Sequence, residues 1–383
     1  MMANQVYNTK ILFWSRLIST FFYPYYTFFN FFRKKYILED IEVKKILVTE
    51  YHRIGDVLMI AKTLKSIKSS FPQSRLILLC NNPVQHLAEH LALADEVYPI
   101  KVPWTDWSWS IIKWIRIWVF ARQIAKKKID LAFDFKGDLR NSWFLWHTKP
   151  KISFGYDATG GGYFFTNAQE MNQELHQTMR ANNLVTKAGC KIIMDNQPDL
   201  ELNDKGSIVF HNGVTDPRRS WPIDYWVKLA KSLSVKYNIT IVKTPESIAL
   251  IKQLKDSEIK VDYFEGDLIE FKLWLKKQQC IIAPDSMAGH LAAYIGIPTI
   301  SLFGAQNSKL TSPLNKISVL VTPDSKCVHV SDHWRLCKDC MNSISPEKVA
   351  KTVFRFLSRL KTYQEIKILQ ITPFLVNSVD TKE

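Results

Sequence analysis

At 383 residues the chain is long for one compact core, because domains cluster at roughly 100 to 200 residues, so two domains are expected. Hydrophobic residues make up 46% and charged residues 23%, which argues against extensive disorder and against a polytopic membrane protein. The formal net charge is +15, and residues 1–150 hold 22 Lys plus Arg against 12 Asp plus Glu, so the N-terminal half is expected to attract phosphate-bearing partners: nucleic acid, anionic lipid or a phosphorylated sugar.

Residues 1–43 form an extension. Within it Leu17 to Phe32 carries no charge and is loaded with Phe and Tyr, but its 16 residues fall short of the roughly 20 of a spanning helix, and Pro24 interrupts it. Arg16 on one side and Arg33, Lys34 and Lys35 on the other suit a segment lying in a bilayer interface; an amphipathic helix packed on its own domain is the other reading.

From Lys44 aliphatic runs alternate with helical patterns: KKILVTE, a helix over Val57 to Ser70, RLILLC, a helix near Val84 to Leu93, DEVYPI, and IDLAFDF at Ile129 to Phe135. Continuous Ile, Leu and Val strands separated by crossover helices imply a parallel sheet covered on both faces, here an α/β domain over 44–200. Between strands, Trp104, Trp107, Trp109, Trp114 and Trp118 cluster with Lys113, Arg116 and Arg122, more indole than core packing needs. The rhythm restarts with SIVFHNG, a helix from Asp224 to Val235, ITIVK, a helix near Ser247 to Lys255, VDYFEG, QCIIAPD and PTISLFG, a second α/β domain over 201–345. A helix from Pro346 to about Leu360 and a tail occupy 346–383, the helix expected to pack back toward the N-terminal domain. Six cysteines spread over a long chain read as free thiols in a reducing cytoplasm rather than a disulfide framework, and no GxGxxG marks a dinucleotide loop.

Ligands of parallel α/β sheets bind outside the carboxyl ends of strands, and three such places carry reactive side chains. After KILVT comes Glu50-Tyr51-His52-Arg53-Ile54-Gly55-Asp56, in which Gly55 is expected to permit a tight turn and Asp56 to open the next helix, as a cap or as a general base at the mouth of an interdomain cleft. In His211 to Pro222, backbone amides and Thr215 suit a diphosphate, while Arg219 supplies the positive charge that stabilises a leaving nucleotide without a metal; Asp224 is the expected cap of the following helix. In Ala283 to His290, Asp285 and Ser286 stand where caps belong, at a helix N-terminus suited to an anion, and His290 lies one turn in, facing the site or the core.

The order and spacing of these pieces resemble glycosyltransferase family 9, the ADP-heptose:lipopolysaccharide heptosyltransferases, from about Lys44 to Leu360. The carriers are the Gly-Asp loop at Gly55-Asp56, Asp134-Phe135-Lys136-Gly137-Asp138-Leu139-Arg140-Asn141 with the Gly155-Tyr156 turn, Arg219-Ser220-Trp221-Pro222, and IIAPDSMAGHLAAYIGIPTISLFG. The resemblance implies a GT-B fold, two Rossmann-like domains facing across a cleft, and metal-independent, inverting transfer of heptose from ADP-heptose to the inner core of lipopolysaccharide or lipooligosaccharide. It casts Asp56 and Arg219 as catalytic. Thr215, Arg219, Glu246, Asp285, Ser286, Met287 and His290 become donor contacts, and Arg53, Gly55, Lys136 and Arg140 acceptor contacts. Met287 stands where the family usually has glycine, which opens the alternative of another nucleotide sugar. The implied partners are a nucleotide-sugar donor, an anionic lipid-linked oligosaccharide and the cytoplasmic face of the inner membrane, with no cofactor and no nucleic acid. Cys327, Cys337 and Cys340 echo the family's closing cysteine region; with His329 or His333 they are either a tetrahedral zinc set or buried thiols. A nucleic-acid-binding protein, prompted by charge alone, and a noncatalytic sugar- or lipid-binding paralogue are the remaining readings.

Overall fold

A computed structural model describes residues 9–105, 110–193, 203–304, 306–323 and 338–376. The chain divides into two compact units, Met1–Met194 with Lys309–Thr311, and Asp195–Ser308 with Ser312–Glu383.

The first unit runs α1 (Thr9–Phe31), β1 (Lys45–Glu50), α2 (Ile54–Ser70), β2 (Arg75–Cys80), α3 (Asn82–His90), β3 (Glu96–Pro99), α4 (Ile111–Ala125), β4 (Leu131–Asp134), α5 (Leu139–His147), β5 (Ile152–Tyr156), β6 (Asn167–Gln169) and α6 (Gln177–Lys187). Its six strands lie in the order β3-β2-β1-β4-β5-β6 and every pairing is parallel. The aliphatic runs explain this: Ile46, Leu47 and Val48 of β1 and Leu76 to Leu79 of β2 are wholly buried, so both faces of the central strands need a helix layer. Each such side chain removed from water is worth roughly 1.5–3 kcal/mol.

The second unit contains β7 (Ile208–Phe210), α7 (Ile223–Leu233), β8 (Ile239–Val242), α8 (Ile248–Asp256), β9 (Asp262–Phe264), α9 (Leu268–Leu275), β10 (Cys280–Pro284), α10 (Met287–Ile295), β11 (Thr299–Leu302), β12 (Ser318–Val321), α12 (Lys338–Asn342) and α13 (Pro346–Val376), while all but the first residue of the short α11 (Ser308–Thr311) group with the first unit. Its sheet order, β12-β11-β10-β7-β8-β9, repeats the topology of the first. Val349, Ala350, Val353 and Leu357 of α13 join the buried core around Trp226 and Leu229 of α7, and the helix runs on to Val376, well past the expected Leu360.

Two helix starts and one helix interior depart from the sequence reading. Helix α2 begins at Ile54, so Gly55 sits inside its first turn rather than in a tight turn before it, and Asp56 occupies the third helical position. Pro222, not Asp224, is the N-cap of α7; its fixed φ of −55° needs no side-chain hydrogen bond to open a helix. Helix α1 runs straight through Pro24. Among the described residues no helix is long and apolar enough to cross a membrane.

Candidate functional site

Strand order reverses between β1 and β4 in the first unit and between β7 and β10 in the second, and the chemistry-bearing side chains gather at the carboxyl ends of those four strands. In the first unit β1 ends in Glu50, whose side chain is wholly buried, and β4 ends in Asp134, also buried. The chain then turns through Gly137, whose φ of +67° and approach to Tyr156 leave no room for a side chain. This turn delivers Lys136 between two carboxylates. Its Nζ donates to Asp56 Oδ1 at 2.7 Å and lies 3.3 Å from Glu50 Oε2. Glu50 Oε1 meets His52 Nδ1 at 2.9 Å, and Lys136 N–H donates to Asp134 Oδ1.

Asp56 is held on every side. Oδ1 also accepts from Gln177 Nε2 at 3.0 Å, and Oδ2 accepts from the Arg53 backbone N–H at 3.1 Å, so the carboxylate closes the first turn of α2 from its third position. Burial alone pushes the Asp56 carboxyl up, but the ammonium of Lys136, then His52 and the hydrogen bonds outweigh it, and the group ends well below the usual carboxylate range. Lys136 answers in kind: burial lowers it, Asp56 and Glu50 raise it more, and it stays charged. Asp134, with burial dominant, is pushed up to about 7.

Among the expected acceptor contacts, Lys136 is therefore committed to Asp56 and Glu50, Gly55 is buried within α2, and Arg53 supplies a backbone N–H to Asp56. Arg140 forks onto Asp138, the N-cap of α5.

In the second unit, Trp221 explains the loop after β7. Its indole is buried, stacks edge-on against Trp226 and donates to the Ile344 carbonyl at 2.8 Å, so the two residues before it are fixed. The adjacent arginines are then sorted. Arg218 turns outward onto Asp216, whereas Arg219 turns inward and places Nη1 3.0 Å from Asp285 Oδ2, just beyond β10. Gly213 is closely approached: a Cβ there would lie 3.1 Å from Thr244 Oγ1, 3.2 Å from the His211 ring and 3.4 Å from Glu246 Oε2, so a larger residue would require these side chains to shift slightly. Thr215 is exposed on the same loop, and Glu246 is exposed in a short 3₁₀ turn after β8.

Several buried polar atoms here have no hydrogen-bond partner among the described residues: His211 Nδ1, Asn212 Oδ1, Arg219 Nε, Thr244 Oγ1 and Ser286 Oγ. Buried polar atoms without a protein partner are met by water or by a ligand, and these stand past β7, β8 and β10, where ligands of parallel sheets bind. Ser286 is the N-cap of α10 yet its side chain caps nothing, so the first-turn N–H groups of α10 remain donors for an anion. Met287 opens the helix partly buried, and His290 one turn on is buried. Burial holds His211 down at about 4, so at neutral pH it is an uncharged donor and acceptor. The arrangement offers a charged guanidinium, helix-end amides and neutral hydrogen-bonding groups, the set that a nucleoside diphosphate requires.

Sequence reasoning missed Glu50, Gln177 and His211 as members of these clusters. Glu50 and His211 each end or follow a central strand, a signal available in the sequence; Gln177 comes to Asp56 from 121 residues away and had none. Cys340 is buried, while Cys327, Cys337, His329 and His333, and likewise Trp107 and Trp109, lie outside the described residues. Among the described residues no three His, Cys, Asp or Glu side chains are grouped to hold a metal.

The model of glycosyltransferase family 9 (heptosyltransferase) matches residues 117–333, more than half of the chain. Lipopolysaccharide heptosyltransferase 1 of Pseudomonas aeruginosa is 21% identical over 308 residues, covering 74% of this chain and 85% of that protein. Lipooligosaccharide heptosyltransferase 2 of Campylobacter jejuni is 24% identical over 321 residues, covering 77% and 93%. The structure of E. coli heptosyltransferase WaaC with ADP-2-deoxy-2-fluoro heptose matches at a TM-score of 0.65 and 16% identity over 81% of this chain and 99% of that one, which makes the pair of doubly wound sheets a GT-B fold. The chain belongs to glycosyltransferase family 9, the heptosyltransferases, and is a glycosyltransferase.

Proposed function

We propose that this enzyme transfers heptose from ADP-heptose to the inner core of lipopolysaccharide or lipooligosaccharide, with inversion and without a catalytic metal, at the cytoplasmic face of the inner membrane. The supporting observation is the cluster of unmet buried polar atoms beside Arg219 and the α10 N-terminus, in a chain of this family. The donor sits in the second unit, with Thr215, Glu246, Ser286, Met287 and His290 around the nucleotide sugar and Asp285 fixing Arg219. His211 and Asn212 join that list. The acceptor belongs to the first unit, with Arg53, Gly55, Lys136 and Arg140 near its anionic groups.

The reaction is one displacement. An acceptor hydroxyl oxygen bonds to the anomeric carbon as the bond from that carbon to the diphosphate breaks, and the configuration inverts. The hydroxyl proton passes to Asp56, whose Oδ2 carries only the Arg53 hydrogen bond among the described residues, whereas Oδ1 carries two. ADP leaves with its charge neutralised by Arg219 and the α10 amides. The aromatic extension, α1, holds the enzyme at the membrane that carries its acceptor.

The test is transfer by the purified protein to isolated inner-core acceptors, read by mass spectrometry, with ADP-heptose set against UDP- and CMP-sugars and with chelator present. Transfer from ADP-heptose, insensitive to chelator, is expected. Preference for another donor would move the assignment to a sibling specificity, which Met287 in the family's usual glycine position favours.

A further inference from the structure

Helix α1 uses one face to dock on its own unit. Ser19 Oγ accepts from the Gly161 N–H at 2.8 Å, Asn30 receives the Trp146 indole N–H at 2.8 Å, Tyr26 Oη receives that of Trp143 at 3.0 Å, and Arg33 lies over the Trp146 ring. The other face is bare: Phe21 is 77% exposed, and Phe13, Trp14, Leu17, Phe28 and Phe31 are exposed with it. Helix α4 does the same, burying Ile117, Ala121 and Ile124 while Ile111, Ile112, Ile115, Trp118 and Val119 face solvent. Neither helix holds an acidic residue, and both present exposed cations, Arg16 on α1 and Lys113, Arg116 and Arg122 on α4. His147, between them on α5, registers this field: burial first, then Arg122, Lys149 and Arg33, hold it down at about 4.

Between the two helices a cavity of about 220 Å³ opens over α5, walled almost entirely by hydrocarbon and aromatic rings, among them Ile18, Phe22, Tyr26, Trp114 and Trp143, with Arg140 as the charged lining residue. That is below the roughly 300–1,000 Å³ of sites for whole small molecules and above the roughly 150 Å³ apolar cavity that takes up benzene, so it suits a hydrocarbon segment rather than a sugar nucleotide. We propose that this cavity binds one acyl chain of an anionic glycerophospholipid, entered from a bilayer lying against the exposed faces of α1 and α4. The cations of those faces then meet the phosphate headgroups, and the buried chain fixes the depth and rotation of the first unit at the surface. The proposal deepens the membrane-contact part of the function above and rests on it.

The full chain is irradiated with vesicles of phosphatidylcholine containing phosphatidylglycerol that carries a photoreactive group on one acyl chain, and adducts are mapped by mass spectrometry. Adducts are expected on Ile18, Phe22, Trp114 or Trp143. Ile18→Trp, which fills the mouth, is expected to lower them at least about tenfold, the factor that two excluded methylene groups represent, while Ile18→Ala keeps them and both variants retain the near-UV circular dichroism of the parent. Adducts confined to Phe21, Ile111 and Ile115, or undiminished in Ile18→Trp, would overturn the cavity. Equal labelling by a phosphatidylcholine probe would overturn the anionic assignment, and failure to sediment with vesicles would overturn the surface as well. Transfer to a water-soluble acceptor fragment, measured in parallel, separates the two proposals: labelling without transfer defeats the transfer reading alone, and transfer without labelling defeats this one alone.

Discussion

Replacing Lys136 by Met tests whether the charge network of the first unit is a structural dependence. In the parent, one ammonium, 13% exposed, serves Asp56 Oδ1 at 2.7 Å and the wholly buried Glu50 Oε2 at 3.3 Å. At an effective dielectric constant of about 20 those distances correspond to about 6 and about 5 kcal/mol of attraction, most of it offset by the cost of desolvating three charges. Removing the cation keeps the cost and loses the attraction, so a net destabilisation of about 3–5 kcal/mol at pH 7.5 is expected. The pH dependence carries a definite sign. The folded-state carboxyl of Asp56 lies below its unfolded value in the parent, so its contribution is present above about pH 4 and is lost only in stronger acid. Without Lys136, burial dominates, the folded carboxyl of Asp56 rises above its unfolded value, and stability is lost as pH climbs above about 4. The gap between parent and variant therefore widens with pH. Urea unfolding followed by tryptophan fluorescence reports the first unit, which holds eight of the twelve tryptophans. A gap below about 1 kcal/mol at pH 7.5, or one unchanged between pH 5 and 7.5, would refute the network as the source of stability.

Other perturbations address the chemistry. Asp56→Asn is expected to leave donor affinity within about twofold and to lower kcat by about 10² to 10⁴; calorimetry with ADP-heptose beside a turnover assay checks both, and near-normal kcat would remove Asp56 as the base. Arg219→Ala is expected to lower kcat by about 10² to 10³ and to weaken ADP binding, because the charge proposed to face the departing diphosphate is gone; an unchanged kcat would place the diphosphate elsewhere. His211, held at about 4 when folded against about 6.5 unfolded, makes the second unit gain about 3 kcal/mol as pH rises from 4 to 6.5, since the unfolded chain binds a proton that the folded one refuses. His211→Gln should flatten that part of the stability profile in urea melts of the full chain, and an unchanged slope would assign it to other groups.

Most of the architecture was legible because central parallel strands carry their signal locally. Ile46 to Val48, Leu76 to Leu79 and Ile281 to Ala283 are unbroken apolar runs, and buried strands between helices admit few other folds. The site was legible only where one residue type acts alone after a strand, as with Arg219 or Asp285. Pairings were not, since Glu50 and Lys136 meet because β1 lies beside β4 in register, Thr49 opposite Asp134, and no local pattern encodes that adjacency. Gly55 misled for the opposite reason: glycine tolerates a left-handed turn but does not demand one, and here the backbone is already helical. The two readings of the aromatic extension, packed helix or membrane-facing helix, were not exclusive, because Ser19, Tyr26 and Asn30 dock one face while the phenylalanines of the other stay bare.

A carboxylate held far below its usual range looks like a poor choice of base, since a weak base gains little by taking a proton. The objection fails for glycosyl transfer by displacement. The acceptor hydroxyl is not acidic at the outset; its proton becomes so as the oxygen forms its new bond to carbon and takes on positive charge, so the base has to be ionised and aligned rather than strong. Lys136, Gln177 and the Arg53 amide secure both conditions, keeping Asp56 charged at any physiological pH and fixing the plane of its carboxylate. They also divide its two oxygens. Oδ1 is spent on the lysine and the glutamine, whereas Oδ2 has a single backbone partner among the described residues, which on the proposed mechanism leaves it a lone pair for the arriving proton. In the proposed mechanism, protonation of Asp56 removes its attraction to Lys136 and leaves Glu50 as that ammonium's carboxylate partner, and recovery of the lost attraction favours returning the proton to solvent before the next turnover.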